Sequence, residues 1–376
     1  MQTQTQEERV QRFNREPMRI VSDQATNWHQ LPKDGIDWRT AVARVRQADE
    51  QDGLRTDTGL TKLSAYVVGP MGDGTMSLAH REGVLAPVPL RETAFRQLCQ
   101  RVGAPADYVK NLPGRLQTAL LDHGLRASDA DGNLLRLAGG QARALLSDRY
   151  AALDNALVVE TMERALDHHG ILGDVRVVGL ATGTTTLLRL SLPTEGAILP
   201  SGVDQDRVTL GLDVGNGEIG NRAVSVVGTV FRLICTNGLR APSSDAHRLR
   251  HVGDPKRLAE AFVQAVPSAI ATSRGTRERL NASIDRMVND ALSEIDGLRQ
   301  FGLSITDTRD VARDVAAARR MALPERHADW TPESFGAPVS VFEVVNGITH
   351  VAQQRGVDAR LDMEEAAGRY LDRRTR

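Results

Sequence analysis

The sequence predicts an α+β fold with a mostly antiparallel sheet, followed by a helical C-terminal part. Short β-branched or alternating runs, separated by Gly, Asp and Asn, occupy residues 134–235. One helical pattern interrupts these runs, and long 3.6-residue periodicity follows Pro255. Strands and helices that are gathered in separate blocks favour an α+β fold over a strictly alternating parallel sheet.

The overall charge is nearly balanced. The chain has 376 residues, with 47 Lys and Arg against 48 Asp and Glu, and a formal net charge of −1. This balance excludes a uniformly basic nucleic-acid-binding protein, so a binding surface of that kind requires local segregation of charge. Only four basic residues are lysines, at positions 33, 62, 110 and 256. Arginine suits phosphate and carboxylate binding, but codon usage in a GC-rich genome explains the same excess.

Neither a membrane span nor a disulfide framework is expected. No run approaches the ~18 apolar residues of a membrane helix, and the first residues are polar without a signal-peptide pattern. Cys99 and Cys235 are the only cysteines and form no CxxC pair. We therefore expect a cytoplasmic protein with no membrane partner.

The N-terminal third contains a polar arm and then the first core elements. Residues 1–60 are broken up by Pro and Gly, so we predict an arm without a core of its own. The run TKLSAYVVGPMGDGTMSLAH then predicts a strand, a turn and a second strand. Apolar spacing predicts a helix over residues 91–102, and a second helix runs from Pro113 to Gly124.

The middle of the chain supplies the predicted sheet. Arg189 and Ser191 alternate with leucines, and residues 208–214 alternate in the same way, so these strands should have one solvent-exposed face. A helix over residues 154–168 interrupts the strands. The predicted strands are residues 134–137, 142–146, 187–192, 208–214 and 224–235.

The C-terminal region reads as helical throughout. Apolar residues recur at helical spacing over residues 280–295 and 311–322, and Ser340 with Glu343 forms a capping box for a further helix. We expect these helices to pack on the sheet or to mediate self-association. The predicted division is an arm (1–60), an α+β sheet domain (61–254) and a helical region (255–376).

Three patterns suggest chemistry that their context does not support. Gly215, Gly217 and Gly220 form a literal GxGxxG, but a β-rich run follows where a dinucleotide site needs a helix, so a hairpin turn is favoured. Cys235 ends an apolar strand and is better explained as a small hydrophobic residue than as a nucleophile. His247 and His251 have no carboxylate placed to complete a metal site. We expect no metal and no cofactor.

Residues 232–257 carry a local positive charge. They contain six basic residues against Asp245 and Asp254. With Arg136, Arg143 and Arg149 they form either a groove for a phosphodiester backbone or a surface loop that pairs with acids elsewhere. Few aromatic residues lie nearby, so base stacking cannot dominate and binding should weaken steeply with salt.

Several runs in the same order resemble the phage/plasmid-like protein family built on domain of unknown function 932. They are RALLSDRYAALDN, GNGEIGNRAVSV, FRLICTNGL, RHVGD and the terminal SVFEVVNGITHVAQ…EEAAGRYL. The resemblance extends from about residue 95 to residue 371. It implies origin on a mobile element and distant kinship with single-strand annealing recombinases, whose fold is a curved antiparallel sheet backed by helices and assembled into rings or filaments.

The resemblance also implies a set of motif positions. Where family members tend to read Asn-Ser-Glu, this chain has Gly217, so a hydroxyl is missing. The implied positions are Arg143, Ser147, Asp148, Arg149, Tyr150, Asp154, Asn155, Asn216, Glu218, Gly220, Arg232, Cys235, Asn237, Gly238 and His251.

The favoured hypothesis is a phage- or plasmid-derived, homo-oligomeric protein of DNA metabolism that binds single-stranded DNA and anneals strands without catalysis. Tyr150 would stack on a base, and Glu218 with Arg232 would form a structural ion pair. An alternative is a mobile-element protein that binds protein partners and no nucleic acid. A third hypothesis is an enzyme that uses Cys235 or Glu218. The predicted phosphate-binding residues are Arg143, Arg149, Arg240, Arg248 and Arg250.

Overall fold

Antiparallel sheets organise the chain. The computed structural model describes residues 5–129, 131–201, 206–232, 237–242 and 248–376, without the side chain of Asn237. The helices are α1 (Gln6–Arg15), α2 (Trp38–Asp52), α3 (Glu92–Arg101), α4 (Ala106–Lys110), α5 (Gly114–Ala127), α6 (Asn155–His168), α7 (Pro255–Ala282), α8 (Ala291–Asp296), α9 (Ile305–Ala318), α10 (Val341–Ala352) and α11 (Val357–Thr375). The strands are β1 (Asn27–Trp28), β2 (Arg55–Leu60), β3 (Tyr66–Pro70), β4 (Met76–His80), β5 (Val88–Pro89), β6 (Asn133–Ala138), β7 (Gln141–Ser147), β8 (Arg176–Thr182), β9 (Thr186–Ile198), β10 (Arg207–Asn216), β11 (Val224–Arg232), β12 (Asn237–Arg240), β13 (Arg248–Leu249), β14 (Met287–Val288) and β15 (Val339–Ser340).

The largest sheet has seven strands and curls into a half-barrel. Its order is β1-β8-β9-β10-β11-β12, and β13 also pairs with β11. Smaller sheets are formed by β2-β6-β7, by β3-β4-β5 and by β14-β15. The predicted α+β class, with a curved antiparallel sheet and a helical C-terminal part, is confirmed. The division of the chain into three parts stays a prediction.

One face of the large sheet packs against α2 and α7, and α6 packs against both of these helices. Leu210 and Leu212 of β10 are fully buried on this face, in one core with Phe262 of α7. The hydroxyl of Ser273, also on α7, donates to the carbonyl of Gly211 at 3.0 Å. The helix therefore lies directly on the sheet.

The N-terminal region contributes to this core, although the sequence predicted an arm without one. Trp38, Ala41, Val42 and Val45 of α2 are buried in the same core as the sheet. Their spacing gives α2 one apolar face, which the surrounding polar residues obscured in the sequence. Strand β2 extends the small sheet by pairing with β6.

The central part of the second face of the large sheet is covered, so the predicted solvent exposure of the polar residues there is wrong. Arg189, Ser191 and Asp213 are each less than 5 % exposed. Helix α11 packs over this polar face, where Glu364 accepts hydrogen bonds from Arg189. Asp213 accepts two more, at 2.9 and 2.8 Å, from the same guanidinium. The alternating pattern thus reflects an apolar helix contact on one side and a buried ion network on the other.

Other predicted elements differ in detail. The helices over residues 91–102 and 154–168 are confirmed by α3 and α6, and the capping box at Ser340 and Glu343 is confirmed at the start of α10. The continuous helix predicted over residues 280–295 is wrong, because α7 ends at Ala282 and the short strand β14 intervenes before α8. Strand β8 was not predicted, although Val175, Val177 and Val178 form a β-branched run.

No helix in the described part of the chain combines the length and the apolar character that crossing a membrane requires.

Gly368 sets how closely α11 approaches the sheet, which gives a test of this packing. A Cβ atom at Gly368 would collide with the backbone carbonyl oxygen of Arg240. Gly368→Ala should therefore lower the free energy of unfolding by about 1–3 kcal/mol, measured by urea denaturation. As a control, Gly275→Ala places its Cβ no closer than 3.6 Å to the Arg279 side chain in α7, and should be neutral or stabilising. Equal stability of Gly368→Ala and the unmodified protein would contradict this packing.

Candidate nucleic-acid interface

Two segments that are distant in sequence lie side by side beyond the end of β7. The backbone N–H of Ala151 donates to the carbonyl of His251 at 3.1 Å, and that of Gly253 donates to the carbonyl of Arg149 at 3.1 Å. The turn after β10 approaches from a third direction, since the Tyr150 hydroxyl donates to the carbonyl of Gly217 at 3.2 Å. These backbone contacts hold the residues of the site in place.

A cleft of about 540 Å³ lies between these segments. We call it the Arg149 cleft and define it by its polar lining. That lining consists of Ser147, Arg149, Tyr150, Arg222, Arg250 and His251.

A buried cluster of charges lies behind the cleft and centres on Glu218. This carboxylate is 3 % exposed. One oxygen accepts from the backbone N–H of Asn155 at 2.6 Å and from Arg55, and the other accepts from Arg143 at 2.5 Å. Because both oxygens accept bonds from within the protein, a structural role is favoured over general-base chemistry. We call Arg55, Arg136, Arg143, Asp154, Asn155 and Glu218 the Glu218 cluster.

Arg136 connects the cluster to its neighbours and is 1 % exposed. Its Nε donates to Asp57 at 2.9 Å, and its two terminal nitrogens donate to the backbone carbonyl of Glu218 at 2.8 Å and to Asp154 at 2.6 Å. Burial alone would raise the pKa of Asp154, but Arg136 and Arg143 hold that pKa below its usual value. Each of the three guanidinium nitrogens of Arg136 therefore donates to a partner inside the protein.

Two aromatic rings separate the cluster from the cleft. His251 stacks on Tyr150, with ring centroids 4.9 Å apart and planes 10° from parallel, and the Arg136 guanidinium lies 5.6 Å from the Tyr150 centroid. Burial raises the pKa of Tyr150 and lowers that of His251, so both are uncharged at neutral pH. The Tyr150 ring thus already has His251 stacked on it and Arg136 beside it. A nucleobase stacking on Tyr150, as the sequence predicts, would compete with these neighbours.

Two of the predicted phosphate-binding residues are exposed in the cleft. Arg149 and Arg250 both line it. Within the described ranges, neither side chain has a carboxylate within 4.0 Å, whereas Arg222 pairs with Asp358 of α11. The cleft thus contains the guanidiniums of Arg149 and Arg250, for which the described residues supply no carboxylate partner, and that of Arg222, which forms an ion pair with Asp358.

The other predicted cations are already paired. Arg143 is 3 % exposed and bound to Glu218, and Arg240 is 3 % exposed and lies 3.2 Å from Asp213. Arg248 pairs with Glu365 of α11. The predicted phosphate-binding residues therefore reduce to Arg149 and Arg250, because β10, the turn after it and α11 supply carboxylates that the local charge pattern does not reveal.

The motif residues divide between two places. At or beside the Arg149 cleft and the Glu218 cluster lie Arg143, Ser147, Asp148, Arg149, Tyr150, Asp154, Asn155, Asn216, Glu218, Gly220 and His251. Gly238 lies instead against Arg189, in strand β12 with Asn237. The predicted pair of Glu218 with Arg232 is wrong, because Arg232 binds Asp206 with two bonds of 2.7 Å. Cys235 and His247 lie outside the described residues.

Sequence reasoning missed the acidic and basic residues that the N-terminal region contributes. Arg55 of β2 belongs to the Glu218 cluster, and Asp49 and Asp52 at the end of α2 and Asp57 of β2 surround it. The crowding of these four residues within nine positions is the signal that the sequence offers, although a polar arm explains such a run more simply. Within the residues that the structure describes, no three His, Cys, Asp or Glu side chains are grouped so that they could hold a metal ion.

Comparisons with known proteins give one match. The sequence model of a protein family described as a domain of unknown function (DUF932) matches residues 143–372. No curated protein matches the chain, and no solved structure does.

Asp49 should make the stability depend on pH. Burial and the nearby Glu218 carboxylate raise the pKa of Asp49 from 3.8 to about 6. The folded protein therefore binds this proton more tightly than the unfolded chain, and stability is lost as pH rises through 4 to 6. Asp49→Asn should raise the free energy of unfolding by about 1–2 kcal/mol at pH 8 and change it little at pH 4, measured by urea denaturation.

The exposed residue Asp129 provides a matched control, since Asp129→Asn should have little effect at either pH. A gain for Asp49→Asn of the same size at pH 4 and pH 8 would show that packing, rather than ionisation, causes the effect.

Proposed function

The chain belongs to the DUF932 family, and from the geometry of the Arg149 cleft we propose that it binds single-stranded nucleic acid without covalent chemistry. The observation that carries this proposal is the pair of exposed guanidiniums of Arg149 and Arg250. They lie on hydrogen-bonded neighbouring segments, and within the described residues neither has a carboxylate partner. Guanidinium groups form bidentate contacts with phosphate, so two of them on one cleft suit a phosphodiester backbone.

Arg222 would supply a third phosphate contact. Its present partner, Asp358, is 71 % exposed. Exposed ion pairs contribute only about 0–1 kcal/mol, so a phosphate can replace this carboxylate at low energetic cost.

Binding would be insensitive to base sequence. The Tyr150 ring already has His251 stacked on it and Arg136 beside it, so a stacking base would compete with these neighbours. Phosphate contacts then supply the affinity. Three such contacts with a single strand predict that log K falls with log salt at a slope of about −2.

Strand annealing, self-association, a cytoplasmic location and mobile-element origin belong to the same proposal. Annealing requires strands that are held by their phosphates with the bases free to pair, and a cleft of arginines without base contacts satisfies that requirement. No acid, base or metal is needed for this activity.

Removing the two available arginines tests the proposal. Arg149→Gln combined with Arg250→Gln should weaken the binding of a fluorescent 20-nucleotide oligothymidine about tenfold at 0.1 M salt. The salt slope should become shallower by about 1.4, because two phosphate contacts are lost. Fluorescence anisotropy over a salt series measures both quantities.

A charge-matched control is Arg115→Gln combined with Arg309→Gln, which removes two exposed arginines of α5 and α9 that do not line the cleft. If both double variants bind equally, the assignment to the Arg149 cleft is wrong. If the unmodified protein shows no binding at 50 mM salt, the proposal fails and the hypothesis of a protein partner is favoured.

A further inference from the structure

A second basic cleft lies at the other end of the large sheet. It has a volume of about 590 Å³. Strand β10 begins at Arg207 in this cleft and ends at Asn216 beside the Glu218 cluster, and ten residues of strand span about 30 Å. We call it the Arg176 cleft and define it by its polar lining. That lining consists of Lys33, Asp34, Arg176, Ser191, Arg207 and Thr209.

Helix α11 contacts the polar face of the sheet between the two ends of β10. There its buried carboxylates Glu364 and Glu365 pair with Arg189 and Arg240. Asp213, which lies between Arg207 and Asn216 on β10, binds the same Arg189 guanidinium. A ligand in the Arg176 cleft therefore contacts none of the residues assigned to the Arg149 cleft.

The Arg176 cleft concentrates unneutralised positive charge. Lys33, Arg176 and Arg207 are all exposed, and among the described residues none has a carboxylate within 4.0 Å. Among the described residues, Asp34 is the one acidic residue of the lining, and it forms no ion pair with these cations. This contrasts with Arg189 on the same face, which has two buried carboxylate partners.

The backbone segments that carry these cations are anchored to one another. Arg176 lies opposite Ser191 in the pairing of β8 with β9, and the Thr209 hydroxyl donates to the carbonyl of Leu192 at 2.6 Å. The loop that carries Lys33 is fixed to β8 by two hydrogen bonds between Ile36 and Val177, of 2.9 and 2.8 Å. The backbone positions of the three cations are thus fixed relative to one another, so only their side chains must become ordered when an anion binds.

We propose that the Arg176 cleft is a second, independent binding site for a phosphate group. The two guanidiniums and one ammonium around this cleft carry more positive charge and more N–H donors than a single carboxylate can use. They match the multiple negative charges and acceptor oxygens of phosphate esters. The volume is that of a small-molecule site. The phosphate belongs either to a small phosphorylated molecule or to a nucleic-acid strand, and the two sources are separable by experiment.

The test compares three proteins with two probes. The proteins are the full chain, the variant with Arg176→Gln and Arg207→Gln, and the control with Arg115→Gln and Arg309→Gln. The probes are inorganic tripolyphosphate, titrated by calorimetry, and the 20-nucleotide oligothymidine, titrated by anisotropy over a salt series. Thermal unfolding verifies that each variant is folded.

The proposal predicts at least a tenfold loss of affinity for one probe in the Arg176 and Arg207 variant, and no comparable loss in the control. Loss for tripolyphosphate alone identifies a small phosphorylated ligand. Loss for the oligonucleotide, with a salt slope shallower by about 1.4, identifies a strand. If the Arg176 and Arg207 variant binds both probes as tightly as the control does, the proposal is overturned. The proposal for the Arg149 cleft is not affected by that result, because the Arg149 and Arg250 variant tests it separately.

Discussion

The burial of Glu218 among arginines is the constraint on which the candidate site depends. Its two oxygens bind Arg55 from the N-terminal region, Arg143 from β7 and the first backbone amide of α6. Removing one partner of such a cluster leaves an uncompensated buried charge, which typically costs about 3–5 kcal/mol. Three separate parts of the chain must therefore adopt one arrangement. The cleft between the segments at Arg149 and Arg250 is a consequence of that arrangement, because the Tyr150 ring lies against Arg136 of the cluster and His251 stacks on Tyr150.

A second buried ion network explains why the polar face of the large sheet is not exposed. Arg189 binds Asp213 beside it and Glu364 of α11, so the helix docks through charge as well as through apolar contacts. A guanidinium has five N–H donors in a rigid fork and can satisfy two carboxylates at once, which lysine cannot do with the same geometry. The abundance of arginine in this chain is thus used partly for internal cohesion. Arg149 and Arg250 are exposed and can bind a ligand, whereas Arg143 and Arg240 are buried and paired with carboxylates.

Local patterns predicted the elements well and the pairing of charges poorly. Strands β6, β7, β9, β10 and β11, helices α3 and α6, and the cap of α10 follow from periodicity and capping residues, which act over a few positions. Arg240 forms an ion pair with Glu365, which is far away in sequence, and no rule of residue spacing predicts that pair. The same reason explains why alternation suggested an exposed sheet face and why the acids of α2 were overlooked. The motif residues of the family did indicate the location of the cluster, although several of them build the support for the cleft and do not line it.

We infer that the Glu218 cluster is a single energetic unit that holds the site together. A double-mutant cycle with Arg143→Met and Glu218→Gln, followed by urea denaturation, measures this directly. We expect each single variant to be destabilised and the two effects to be coupled by about 1.5–3 kcal/mol, because either change leaves the other buried group without this partner. Additive effects, with a coupling below about 0.5 kcal/mol, would contradict it.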